Sequence, residues 1–95
     1  MTNKNRKHKD DFFEVKCNGD SLHFPQFLYQ DFEMCIRCES GLQILSEIFD
    51  TYSKFSDELK ETFQFSIYHF EDKIIDLADV RSMIRAFYKT YVIKD

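Results

Sequence analysis

The chain has 95 residues, a net charge of −4, 11 Phe and 5 Tyr, but only two Gly and one Pro. A length this short fits one domain with a limited core. So few turn-forming residues exclude an all-β fold with many tight turns, and no apolar run reaches the roughly 18 residues of a membrane-spanning helix.

Residues 1–10 read as a disordered basic arm. Lys4, Arg6, Lys7 and Lys9 give the first nine residues a charge of +4 with no acid among them. Since the whole chain carries −4, the remainder carries −8. The N-terminus lacks the apolar core of a signal peptide. Three cysteines, an odd count, do not make a closed disulfide framework. An intracellular, cytoplasmic protein is the expectation.

Residues 11–95 read as a single small helical domain. It opens on a β-hairpin. Phe13, Val15 and Cys17 alternate with Glu14 and Lys16, and Leu22 and Phe24 alternate with Ser21 and His23. Between them lies Asn18-Gly19, two residues that tolerate the positive φ of a type I′ turn. With that loop Val15 faces Leu22 and Phe13 faces Phe24, all on one side. A lone hairpin is marginal, so this side must pack on helices. Its free edges offer a second copy a place to pair.

Pro25 suits the first position of a helix. Phe27, Leu28, Phe32, Cys35 and Ile36 follow a helical rhythm, and this helix either stops near Cys38 or runs on through Gly41 as one longer helix. The organising stretch runs from Ser40 to Val92. Ser40 and Gln43 form a capping-box pattern. Leu42, Leu45, Ile48, Phe49, Tyr52 and Phe55 recur at spacings of three and four, so they share a helical face. Ser56 is the next cap, and Asp57, Glu58 and Glu61 favour a helix start. Leu59, Phe63, Ile67, Phe70, Ile74 and Leu77 form the second stripe, extended by Val80, Ile84, Phe87, Tyr88 and Tyr91. The two stripes are expected to face each other on antiparallel helices. Either Asp79 caps a separate last helix, or one helix runs from Asp57 to about Tyr91. The β-branched and aromatic end, Tyr91 to Ile93, is expected to leave the helix. The predicted fold class is mostly α: a small bundle of three to four helices with an N-terminal β-hairpin.

Four soft or borderline ligands, Cys17, His23, Cys35 and Cys38, match the number a tetrahedral zinc site needs. A single CxxC is a weak signal, and Cys17 and His23 fall on opposite hairpin faces. No thioredoxin-like αβ alternation surrounds the pair. His8, His23 and His69 stand without a nucleophile motif, and two glycines do not make a phosphate-cradling loop. No catalytic residue and no cofactor is expected.

Two binding classes remain. Arg81, Arg85 and Lys89 stand four apart and make a basic stripe, with Tyr88 beside it for stacking. Together with Lys4, Arg6, Lys7 and Lys9 they could meet nucleic acid. Against this, the body of the chain is acidic. Protein binding is the leading reading. Phe12, Tyr29, Phe65 and Ile75 fall off the core stripes, and such residues gathered on one surface mark an interface. Paired acidic and basic helix faces suit a two-fold homodimer. The expected partner-binding residues are Arg81, Arg85, Lys89, Tyr88 and Phe65. The expected function is that of an adaptor, inhibitor or immunity-type regulator.

Overall fold

The structure, a computed structural model, describes residues 11–93. The basic arm predicted for residues 1–10, with Lys4, Arg6, Lys7 and Lys9, lies outside them. Strands β1 (Phe12–Cys17) and β2 (Asp20–Pro25) form an antiparallel hairpin. Val15 pairs with Leu22 and Phe13 with Phe24, the register expected from the alternation. The turn needs left-handed backbone at both corners: φ is 52° at Asn18 and 88° at Gly19. Asn and Gly are the residues that adopt it at least cost.

After β2 the chain makes a 3-10 turn (Gln26–Leu28) that runs into α1 (Tyr29–Cys35). Pro25 closes the strand and precedes this turn instead of opening the helix itself. Helix α2 spans Glu39–Tyr52. It starts earlier than the Ser40–Gln43 box implied. Cys38 is the N-cap, and its sulfur accepts the Gly41 N–H at 3.4 Å. Helix α3 spans Asp57–His69, and Ser56 caps it as expected, accepting the Leu59 N–H at 3.1 Å.

The break between the last two helices is real. A 3-10 turn at Glu71–Lys73 and an extended Ile74 separate α3 from α4 (Leu77–Phe87). The cap is Asp76, three residues before the expected Asp79. Asp76 accepts the Asp79 N–H at 3.2 Å, and Asp79 reaches back to the Ile75 N–H at 2.7 Å. Asp31 of α1 accepts the Leu77 N–H at 2.8 Å. Three carboxylates therefore surround the positive end of α4, where the helix dipole favours them. With no Gly or Pro in the segment, the break rests on these caps and on Ile74, which is buried in the core. Beyond Phe87 the backbone does not unwind. It widens into a π-helical stretch, Tyr88–Ile93.

The pairing of helices differs from the simplest expectation. Helix α2 packs mainly on α4, not on its sequence neighbour α3. The α3 stripe meets the hairpin instead. Phe63 and Ile67 of α3 are fully buried, as are Leu22 and Phe24 of β2. Polar links fasten the same contact. The Gln64 amide accepts the His23 N–H and donates to the His23 C=O, both at 2.8 Å. It therefore satisfies the outer edge of β2 at that point, which removes this site from edge pairing with a second copy. Lys60 bridges to Asp20 at 2.9 Å, and the Tyr52 hydroxyl donates to the Ser21 C=O at 3.4 Å. One hydrophobic core unites hairpin and helices, with Ile48, Phe63, Val80 and Ile84 at its centre.

Candidate functional site

Helix α3 has two faces of different character. Phe63 and Ile67 point into the core and anchor it. Phe65, two residues from each, therefore projects outward, since two residues turn about 200° on an α-helix. Its ring is 62% exposed. Phe65 stacks on His69, with ring centres 5.7 Å apart and planes 17° from parallel. His69 in turn meets Phe70 edge-on at 4.6 Å. Tyr68, at i+3 from Phe65, carries Phe12 of β1 against its ring at 4.5 Å. The C-terminal half of α3 thus carries two groups of rings, Phe65–His69–Phe70 and Tyr68 with Phe12 of β1. Tyr68 and Phe70 are exposed as well. Partial burial pushes the Tyr68 phenol up, so it stays neutral near pH 7.

Of the four residues off the core stripes, Phe12 packs on Tyr68 and Phe65 on His69. Tyr29 lies elsewhere, against Phe13 and Phe32. Ile75 is 79% exposed, in the link before α4. The contributions of Tyr68, His69 and Phe70 leave little trace in the sequence pattern. Phe70 stood on the expected core stripe, but the helix ends at His69, and the change of direction there turns Phe70 outward.

The basic stripe is only partly free. Arg85 forms a two-pronged ion pair with Glu47 of α2, with Nη2 2.9 Å from one carboxylate oxygen and Nε on the other. The Nε of Arg81 is buried. Lys89 is exposed, but it lies in the π-helical stretch, where the four-residue spacing no longer aligns it with Arg85. Tyr88 is half-buried, with the Lys54 ammonium 5.5 Å from its ring centre. Phe65 belongs to the outer face of α3 and is not part of this stripe.

The Glu47–Arg85 pair has a pH signature. The hydrogen bond and charge from Arg85 hold the Glu47 carboxyl below its ordinary value of 4.5. A carboxyl lowered by folding adds stability above its unfolded-state value and loses that stability as the pH falls through the folded one. The side chains of Arg85 and Glu47 are 56% and 34% exposed, so solvent screening keeps the effect small. Glu47→Gln should lower the melting temperature slightly at neutral pH, and the gap to the parent should shrink as acid protonates Glu47. A difference unchanged in acid would mean the pair stabilises the fold through packing rather than charge.

The cysteines are dispersed. Cys17 stands near the tip of β1, beside Asp50 and Ser46 of α2. Cys35 is buried at the end of α1, and Cys38 is exposed at the head of α2. His23 is bound through its backbone to Gln64. Among the described residues no three His, Cys, Asp or Glu side chains gather as metal ligands, so the four-ligand set of Cys17, His23, Cys35 and Cys38 does not converge. The His69 ring is held between Phe65 and Phe70. Among the described residues no helix is long and apolar enough to cross a membrane.

No family model, no curated protein and no solved structure matches this chain.

Proposed function

We propose that this chain is a small non-enzymatic protein that acts by binding another protein, as an adaptor, inhibitor or immunity-type regulator, and that it does so as a cytoplasmic homodimer. The observation that carries this reading is the run of exposed aromatic rings on α3, centred on Phe65. Aromatic side chains left in water without a covering layer are characteristic of interfaces, and they dominate binding energy where they are found. The acidic start of the same outer face, with Glu58 and Glu61 exposed, complements the exposed Lys89 beyond α4. Such complementarity suits a two-fold pairing of copies. Three free cysteines agree with a reducing compartment. The rival reading, nucleic-acid binding by the arm and the α4 stripe, is weakened because Arg85 already spends its charge on Glu47.

The test is an affinity pull-down from the native host, with and without nuclease, using the parent chain and Phe65→Glu. Phe65 makes no core contact, so Phe65→Glu should change stability by no more than about 0.5 kcal/mol. It should weaken binding by about 30-fold or more, the loss typical of a central aromatic. A stoichiometric protein that survives nuclease and is lost with Phe65→Glu supports the reading. A recovered set that vanishes with nuclease, or one indifferent to Phe65→Glu, contradicts it.

A further inference from the structure

The corner between α1 and α2 carries two thiols with no part in the surface on α3. Cys35 is the last residue of α1, and Cys38 caps α2. The Cys38 N–H donates to the Cys35 C=O at 3.4 Å, which closes a four-residue turn. Such a turn holds its end Cα atoms within about 7 Å, and a disulfide spans about 4.4–6.8 Å between the same atoms. Both residues line one apolar groove of about 440 Å³, together with Met34, Arg37 and Ile44.

The two sulfurs are differently placed. Cys38 is exposed, and its sulfur accepts the Gly41 N–H at the head of a 14-residue helix. Its exposure gives an oxidant access to the sulfur. Cys35 is 7% exposed. Burial pushes its thiol up, and the Asp31 carboxylate adds to the effect, so it stays protonated.

We infer that Cys35 and Cys38 form an oxidant-responsive dithiol site, with Cys38 as the attacking thiol and Cys35 as the resolving one. The oxidant is a hydroperoxide. The Cys38 thiolate attacks one peroxide oxygen, and the O–O bond breaks. With hydrogen peroxide this leaves a sulfenic acid on Cys38, and the departing hydroxide takes a proton to become water. Cys35 then gives up its proton and attacks the Cys38 sulfur. The S–O bond breaks, a second water leaves, and the disulfide forms. Two thiols are oxidised and the peroxide is reduced by two electrons. In the oxidised form the Cys38 sulfur turns from the Gly41 N–H to Cys35. The head of α2 thereby loses its cap and the groove changes its lining. This site does not depend on the binding surface of α3.

The test treats the reduced full chain with hydrogen peroxide and follows intact mass and free thiols. The parent chain should lose about 2 Da, the two hydrogens of a dithiol, and retain one of its three thiols. The bond should join the tryptic peptides 17–37 and 38–54. Cys17 shares the first peptide, so Cys17→Ser is the control, and it should oxidise like the parent. Cys35→Ser should instead accumulate a dimedone-reactive sulfenic acid on Cys38. Cys38→Ser, which keeps a good N-cap and hence the fold, should form no disulfide. The turn holds the two thiols together, so the disulfide should close several-fold faster in the folded parent than in urea. A disulfide that uses Cys17, three surviving thiols, or a folded rate no faster than the unfolded one would each overturn the assignment.

Discussion

Phe63→Ala should destabilise the protein by about 3–5 kcal/mol, the range for removing a fully buried Phe ring. Phe63 is 0% exposed and sits where three elements converge. Its ring lies 6.2 Å from Tyr52 of α2, 6.1 Å from Phe55 in the following turn and 5.2 Å from Phe87 of α4. Edge-on and tilted ring pairs of this kind add to the area they bury. The neighbours are themselves bulky and held by the rest of the core, so they will not collapse to fill the space. A domain of this size has total stability near the low end of about 5–15 kcal/mol. The substitution therefore removes most of it. Urea denaturation checks the value. A loss under about 1 kcal/mol would mean that the aromatic cluster rearranges freely and is not the clamp between α2, α3 and α4.

Gly41→Ala should have a comparable effect from a single added methyl group. A Cβ at Gly41 would stand 2.4 Å from the Cys35 Cα, 2.5 Å from its carbonyl oxygen and 2.8 Å from its carbonyl carbon. All three are backbone atoms, so no side-chain rotation relieves the clash. The first turn of α2 must instead move away from the end of α1. Overpacking usually costs about 1–3 kcal/mol, and a clash with backbone belongs at the upper end. That corresponds to a fall in melting temperature of more than about 10 °C. The sign is informative, because Gly→Ala in an exposed helix interior is normally stabilising by up to about 1 kcal/mol. A thermal melt that shows Gly41→Ala at or above the parent would show that α1 and α2 do not approach this closely.

The hairpin was legible because two local signals agree. Asn18-Gly19 sets the turn, and the alternation of Phe13, Val15, Leu22 and Phe24 sets the register. The start of α3 at Ser56 was legible for the same reason, with a cap followed by acids. The start of α2 was not. A cysteine sulfur in place of a hydroxyl as the capping group is a weak sequence signal, and the Ser40–Gln43 pattern nearby resembles a better one. At α4 two aspartates three residues apart both fit a cap, and only the fold shows that Asp76 holds the position while Asp79 reaches back. Helix pairing was beyond reach. A stripe tells which face is buried but not what buries it. The two bonds from Gln64 to His23, from residues 41 apart, leave no trace in local pattern. For the candidate surface, Phe12 and Phe65 were visible as residues off the stripes. The packing of Phe12 on Tyr68 and of Phe65 on His69 comes from the tertiary fold, and the outward turn of Phe70 depends on where α3 ends. The pairing of Arg85 with Glu47, residues 38 apart, likewise leaves no trace in local pattern.

The most direct measurement is photo-crosslinking in the native host from a benzoylphenylalanine at position 65, with an equivalent at exposed Glu39 as the control. Binding through the outer face of α3 predicts a discrete protein adduct from position 65, either to a second copy or to another chain, and little from position 39. Adducts to nucleic acid alone, or equal and diffuse labelling from both positions, would contradict a protein interface centred on Phe65.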